Sequence, residues 1–216
     1  MAGFPPSLTA VVKIGKMGYP DQEVTAMCGR VYIPDDDSYR MLRLIVDYLE
    51  HRNVKVKTGE VSPGDLAAVV ASNRRCEPQP FAMTWGYHLP NGKPVFNTRS
   101  ETAAEKPMFA DGMRQRRCLF PAALYFEWER KADGKTKYAI APKVGEGFFL
   151  AGIYRLEAGK PVFSVLTRSP SEDIAFIHDR MPVILPNEVT ADWLNPKYHG
   201  EEILRAAITD MAYRAC

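Results

Sequence analysis

The stretch that most restricts the fold lies in the second half of the chain. From Cys118 onward the sequence turns β-rich. Leu119–Trp128 is aromatic and apolar, and strand-like runs follow at Lys137–Ala141, Phe148–Leu156 and Pro161–Arg168. Lys143–Gly147 and Glu157–Lys160, both carrying turn glycines, separate these runs. Short apolar runs cut by turn residues at such spacing predict an antiparallel meander. Met181–Leu185 reads as one more strand, and Leu66–Val70 as an earlier one after the turn Val61–Asp65. Trp85–Tyr87 and Val95–Asn97 read as short extended pieces. Helices enter where the period changes. Leu42, Ile45, Val46 and Leu49 fall on one face, so 38–50 is expected to be helical, with Asp35–Ser38 as cap candidates. A second helix is expected to start at Ser100–Ala104 and to end or kink at Pro107. A last one is expected over Leu204, Ala207, Ile208 and Met211. The expected class is α+β, an antiparallel-rich sheet curled into a barrel-like core with flanking helices.

Composition limits what such a fold can do. The chain has 216 residues, 46% of them hydrophobic, which is enough for one well-filled domain. Residues 1–26 differ from the rest, with Phe4-Pro5-Pro6, Gly15, Gly18 and Pro20 around a single strand candidate, Leu8–Ile14. They read as an N-terminal extension to a domain at 27–216. A net charge of +2 does not by itself indicate a nucleic-acid binder. Local clustering of Arg30, Arg99 and Arg180 is still open. No apolar run reaches membrane-spanning length, and no secretion signal is visible. Cys28, Cys76, Cys118 and Cys216 form no CxxC pair, so free thiols in a reducing cytoplasm are expected. The cysteines and histidines lack zinc spacing, and no nucleotide-binding glycine motif appears. No metal or cofactor is expected.

Four short segments carry chemistry. In Met27-Cys28-Gly29-Arg30, a thiol sits beside a cation that favours the thiolate, the nucleophilic form. In Asn97-Thr98-Arg99-Ser100-Glu101, an amide precedes a guanidinium fork suited to phosphate. In Tyr125-Phe126-Glu127-Trp128-Glu129, desolvation between aromatics can raise the pKa of Glu127 into the range of a general acid or base. In Ile177-His178-Asp179-Arg180-Met181-Pro182, an imidazole stands between polar neighbours. Read singly, each has a plain alternative: a buried structural cysteine, a helix cap, a glutamate facing water while its aromatics pack, and a surface histidine.

Together and in order, these segments resemble the SOS-response-associated peptidase (SRAP) family of abasic-site shields. The resemblance rests on Met-Cys-Gly-Arg at 27–30, Ser-Pro-Gly at 62–64 and Trp-Gly-Tyr at 85–87. It continues with Asn-Thr-Arg-Ser-Glu-Thr at 97–102, Phe-Glu-Trp at 126–128 and Ile-His-Asp-Arg-Met-Pro-Val-Ile-Leu at 177–185. It implies that Cys28 is the nucleophile toward an abasic site in single-stranded DNA. It also implies that Asn97 holds the sugar aldehyde or the α-amine. Glu127 would move protons, and His178 would protonate the ring oxygen. Arg30, Arg99 and Arg180 would grip phosphates, and Trp85 would stack on a neighbouring base.

In the family the cysteine follows the initiator methionine, whose removal frees a 1,2-aminothiol that closes a thiazolidine on the aldehyde. Here 26 residues precede Met27. The favoured expectation is a misassigned start with Met27 as the true beginning. A leader cleaved before Cys28 and a permanent extension are the alternatives, and the last would allow only a thiohemiacetal. Two other functions stay open: a cysteine peptidase or autoprotease using Cys28, Glu127 and His178, and a noncovalent single-strand binding module. The family's tail is not recognisable after Trp193, where a closing helix and Cys216 are expected instead.

Overall fold

A computed structural model describes residues 29–89 and 92–216. Cys28, the extension at 1–26 and its strand candidate Leu8–Ile14 lie outside the described residues. In chain order the elements are β1 (Arg30–Ile33), α1 (Arg40–Glu50), β2 (Gly59–Val61), β3 (Leu66–Ser72), β4 (Pro78–Trp85), β5 (Tyr87–His88), β6 (Pro94–Val95) and β7 (Asn97–Arg99). They continue with α2 (Pro107–Gln115), β8 (Arg117–Ala122), β9 (Leu124–Lys131), β10 (Gly134–Pro142), β11 (Phe148–Glu157) and β12 (Lys160–Arg168). The last are β13 (Met181–Pro182), β14 (Ile184–Leu185), α3 (Thr190–Leu194), α4 (Gly200–Ile203) and β15 (Met211–Ala215).

Five strands close on themselves in the order β12-β4-β3-β8-β11 and back to β12. The pairings are antiparallel except β12 with β4, where Val162 and Phe163 run parallel to Thr84 and Trp85. Closure removes the open edges that a flat sheet would expose. The short strands β7 and β13 pair with β12, and β14 pairs with β11. A second sheet, in the order β15-β10-β9-β1-β2, is antiparallel throughout. Every residue of β8 is buried, so its apolar run is continuous rather than alternating, as for a strand covered on both faces. Trp85, Phe120 and Phe163 meet in the core with ring centroids 4.9–6.1 Å apart.

The α+β barrel expectation is met, and several local expectations are corrected. α1 buries Leu42, Ile45, Val46 and Leu49 as its period predicts, but it starts at Arg40. Asp36 accepts the N–H of Ser38 at 3.0 Å, so these two close a turn before the helix instead of capping it. The helix expected from Ser100 is a single 3₁₀ turn, Ser100–Thr102, and Pro107 begins α2 rather than ending a helix. At the first helical position the missing proline N–H costs nothing. The meander breaks at β10, which pairs with β9 and β15 in the second sheet, while β11 and β12 form the expected hairpin. The C-terminal helix is absent. Leu204–Ala206 is one 3₁₀ turn, and Met211–Ala215 is a strand whose backbone groups pair along β10. Among the described residues, no helix is long and apolar enough to cross a membrane.

Candidate functional site

Two ladders assemble the four motif segments in pairs. The first is β1 against β9, with Arg30 opposite Phe126 and Val31 opposite Tyr125. This register brings the strand that follows Gly29 alongside the Phe-Glu-Trp segment. Glu127 is only 4% exposed, while Trp128 beside it is half-exposed. The alternation of a strand turns the carboxylate away from the face of Phe126 and Trp128. The plain alternative, Glu127 in water over packed aromatics, is therefore overturned. The Glu127 carboxylate accepts the N–H of Trp128 at 3.1 Å, and across the next ladder the residue stands opposite Tyr138.

On the other face, Arg30 and Lys137 both hold Glu60, at 3.1 and 2.6 Å. Their charges also lie over aromatic rings. Lys137 is 3.9 Å from the centre of Phe126 and 5.7 Å from Trp128, and Arg30 is 6.0 Å from Trp128. Neither Glu60 nor Lys137 stands out as a site residue in the sequence alone. The detectable signal was the pairing of Lys137 with Trp128, visible only once the register is known.

The second pair hangs on β12. Asn97, Thr98 and Arg99 run parallel to Val165, Leu166 and Thr167, and on the other side Pro182 and Met181 pair with Thr167 and Arg168. The Thr98 and Ser164 hydroxyls share a buried hydrogen bond of 2.8 Å. Asn97 is half-buried and Arg99 is exposed. His178 is half-buried, and its Nδ1 accepts the N–H of Arg180 at 3.1 Å, with an Asp179 carboxylate oxygen at 2.8 Å. Arg180 does not project into solvent. Its guanidinium grips Glu101 with both arms, at 2.6 and 2.7 Å, and also donates to the carbonyl of Thr167 at 2.7 Å. The Arg180–Glu101 pair ties the segment at 97–102 to the segment at 177–185.

The two pairs meet where the described chain begins. A methyl group built on Gly29 would stand 3.9 Å from the ring of Phe96, the residue before Asn97. Gly29 thus lies against the residue before Asn97 and leads into the strand that pairs with the one carrying Glu127, and β12 brings the His178 loop to the strand that carries Asn97. Trp85 is a correction. It is fully buried, and its indole N–H donates to the Phe96 carbonyl at 3.0 Å, so no base can stack on it. Arg180 is a second correction, because Glu101 already occupies the fork assigned to a phosphate. Cys118 is buried, and burial pushes its thiol well above the usual cysteine range, so it is no rival nucleophile. Among the described residues, no group of three or more His, Cys, Asp or Glu stands where it could hold a metal ion.

The model of the SOS response associated peptidase (SRAP) family matches residues 27–215. The chain belongs to the SRAP family. Curated relatives include abasic site processing protein YoqW of Bacillus subtilis, 36% identical over 131 residues in a match that covers 57% of this chain and 58% of that protein. Abasic site processing protein YobE of Bacillus subtilis is 39% identical over 125 residues, 54% of this chain and 56% of that one. Abasic site processing protein YedK of Escherichia coli is 31% identical over 124 residues, 55% and 56% of the two chains. The matched stretch thus spans little more than half the length of these relatives. A crystal structure of a Bacteroides thetaiotaomicron protein shares the fold of this SRAP chain, with a TM-score of 0.70 at 23% identity over 87% of this chain and 91% of that one.

Proposed function

We propose that this SRAP protein processes abasic sites in single-stranded DNA in the cytoplasm, by forming a covalent link through Cys28. The observation that carries the reading is the meeting of Gly29, one peptide bond from Cys28, with the strands bearing Asn97 and Glu127. The names of the relatives support the choice of substrate. The chemistry follows from the residue types. His178, in its charged form, protonates the ring oxygen while the anomeric hydroxyl gives its proton to Glu127, and the sugar opens to its aldehyde. The α-amine adds to the aldehyde carbon, water leaves, and the thiol adds to the resulting imine to close a thiazolidine. Glu127 takes and returns the protons moved in these steps. Arg99, which is exposed, and Arg30, which gives Glu60 only one guanidinium nitrogen, are the cations that meet phosphates. Two such contacts give a log–log salt slope of about −1.4, at ~0.7 each for single strands.

Ring closure needs a free amine at Cys28. We read residues 1–26 as an extension preceding one domain and Met27 as the functional start. The test compares the full chain with a form starting at Met27, on an oligonucleotide bearing one abasic site, followed by heat. A heat-stable adduct is expected from the second form and none from its Cys28→Ala variant. Equal heat-stable yields from a mass-verified full chain would sink the thiazolidine. Cleavage of the extension without DNA would favour an autoprotease.

A further inference from the structure

Three aromatic rings gather beside the site. Tyr138 stands opposite Glu127 in the ladder of β9 with β10, so both side chains leave the same face of the sheet. Tyr213 stands opposite Ile140, two residues further along β10, and shares that face. Phe176 comes from the loop that reaches His178 two residues later. Its ring meets Tyr138 at 5.7 Å and Tyr213 at 5.1 Å, and the two tyrosines meet at 5.8 Å, all edge to face. Tyr138 is buried, and its hydroxyl donates to Glu129 at 2.9 Å, which fixes the ring the other two lean on. Phe176 and Tyr213 are 48% and 42% exposed. Apolar rings grouped on a surface mark a place where another molecule binds.

The surroundings favour a flat, uncharged group. Glu129 is held by Lys131 at 3.1 Å, and Lys143 holds Asp173 at 3.3 Å and Asp210 at 2.5 Å. Glu172 and Asp179 stand in water, which screens them. No cation at this rim is left to seize a phosphate, so the rings themselves are what the surface offers. A nucleobase beside an abasic site has lost the neighbour it would stack on, and its face is open to an aromatic side chain. Trp85 is buried, and the half-exposed Trp128 already has Arg30 and Lys137 over its ring.

We propose that Phe176 and Tyr213 form a stacking ledge for one nucleobase next to the lesion. The inference rests on the proposed function, and adds to it the place where the neighbouring base is held.

The test uses the full chain and a single-stranded oligonucleotide with one tetrahydrofuran residue, which mimics the abasic sugar but has no aldehyde to react. Phe176→Ala should weaken binding roughly 5-fold to 150-fold, the range for a ring that carries one base. Tyr213→Ala should weaken it in the same direction, and Phe176→Tyr, which keeps the ring, should bind near wild type. The log–log salt slope should stay as it is, because no phosphate contact is lost. Bases on either side of the lesion are then deleted one at a time, each replaced by a second tetrahydrofuran. At one position the deletion should weaken wild type but not Phe176→Ala, since both changes remove the same contact. Losses that add at every position overturn the ledge, as does wild-type affinity in both alanine variants. So does a wild-type dimer that Phe176→Ala splits in sedimentation, which would make the rings a face for a second copy of the chain. Both alanine changes are at half-exposed rings, and thermal unfolding verifies the fold; were Phe176→Ala unfolded, Phe176→Leu takes its place in the cycle. A wild type that does not bind the oligonucleotide defeats the proposed function and the ledge with it, whereas binding that ignores Phe176 and Tyr213 defeats the ledge alone.

Discussion

Replacing Trp85 by phenylalanine separates a core residue from a DNA contact. The indole has no exposed surface, lies nearly parallel to Phe163 at 6.1 Å and meets Phe120 edge-on at 5.2 Å. Its N–H donates to the Phe96 carbonyl, but that carbonyl also accepts the N–H of Val165 at 2.9 Å. The variant therefore leaves no buried acceptor orphaned. What is lost is one neutral hydrogen bond, worth ~1 kcal/mol, and the packing of the atoms removed, worth ~1–2 kcal/mol in a core that closes only in part. The sum is about 2–3 kcal/mol, which in a domain of this size lowers Tm by about 4–12 °C. The assay is thermal unfolding by calorimetry, paired with binding of an abasic-free oligonucleotide at a temperature where both forms are folded. Binding should not change. A stacking role would instead cost part of the ~1–3 kcal/mol of affinity per base that removing a whole ring costs, since phenylalanine keeps a smaller aromatic face. An unchanged Tm with an affinity loss of that size would refute the burial argument and return Trp85 to the DNA.

Three further outcomes follow from the same geometry. Brief alkylation of the native protein should modify the exposed Cys76 and Cys216 but spare Cys118, whose thiol is buried and pushed up in pKa; peptide mapping by mass spectrometry reads this, and early labelling of Cys118 would contradict its placement. Gly152→Ala should destabilise the barrel by ~1–3 kcal/mol, because the new methyl group would stand 3.0 Å from the Cys118 sulfur and 3.2 Å from the fixed Ser164 carbonyl; a urea midpoint equal to wild type would show that the strands separate freely there. The hydrogen bonds from Arg180 hold the Glu101 carboxyl below its ordinary value of 4.5, so its contribution to stability is present above that pH and is lost as pH falls through the lowered value. Glu101→Gln should weaken the acid dependence of unfolding in that window, and identical acid limbs would mean that the pair adds no stability.

The parts of the fold that could be read from the sequence are those fixed by local period. The apolar stripe of α1 and the strands β11 and β12 follow from side-chain spacing alone, because each buries a face that its own residues define. The sheet membership of β10 does not. It depends on which neighbour the chain turns back toward, and the hairpin signal is Asp133-Gly134, where the turn after β9 enters β10. The last helix failed for a related reason. Buried positions at Ala207 and Met211 are four apart, which suits a helix, yet Met211–Ala215 finds its backbone partners on β10. In the site, motif order pointed to Asn97, Glu127 and His178 as candidates, whereas Trp85 shows how a core indole and a stacking indole look alike in one dimension. The partner of Arg180 was equally hidden, because Glu101 lies 79 positions away in the chain.

The short strand β1 has a mechanical consequence. It is laddered on one side to β9 and on the other to β2, and its first residue lies two positions after Cys28. Hydrogen bonds in an antiparallel ladder lie across the strands. A pull delivered along β1 from a captured DNA end therefore strains both rows together, in shear, instead of peeling them one at a time. A tether attached there behaves as a bolt through a plate, whereas the same pull along the edge strand β15 would load one row alone. On the proposed chemistry, the protein carries its load on a strand held from both sides.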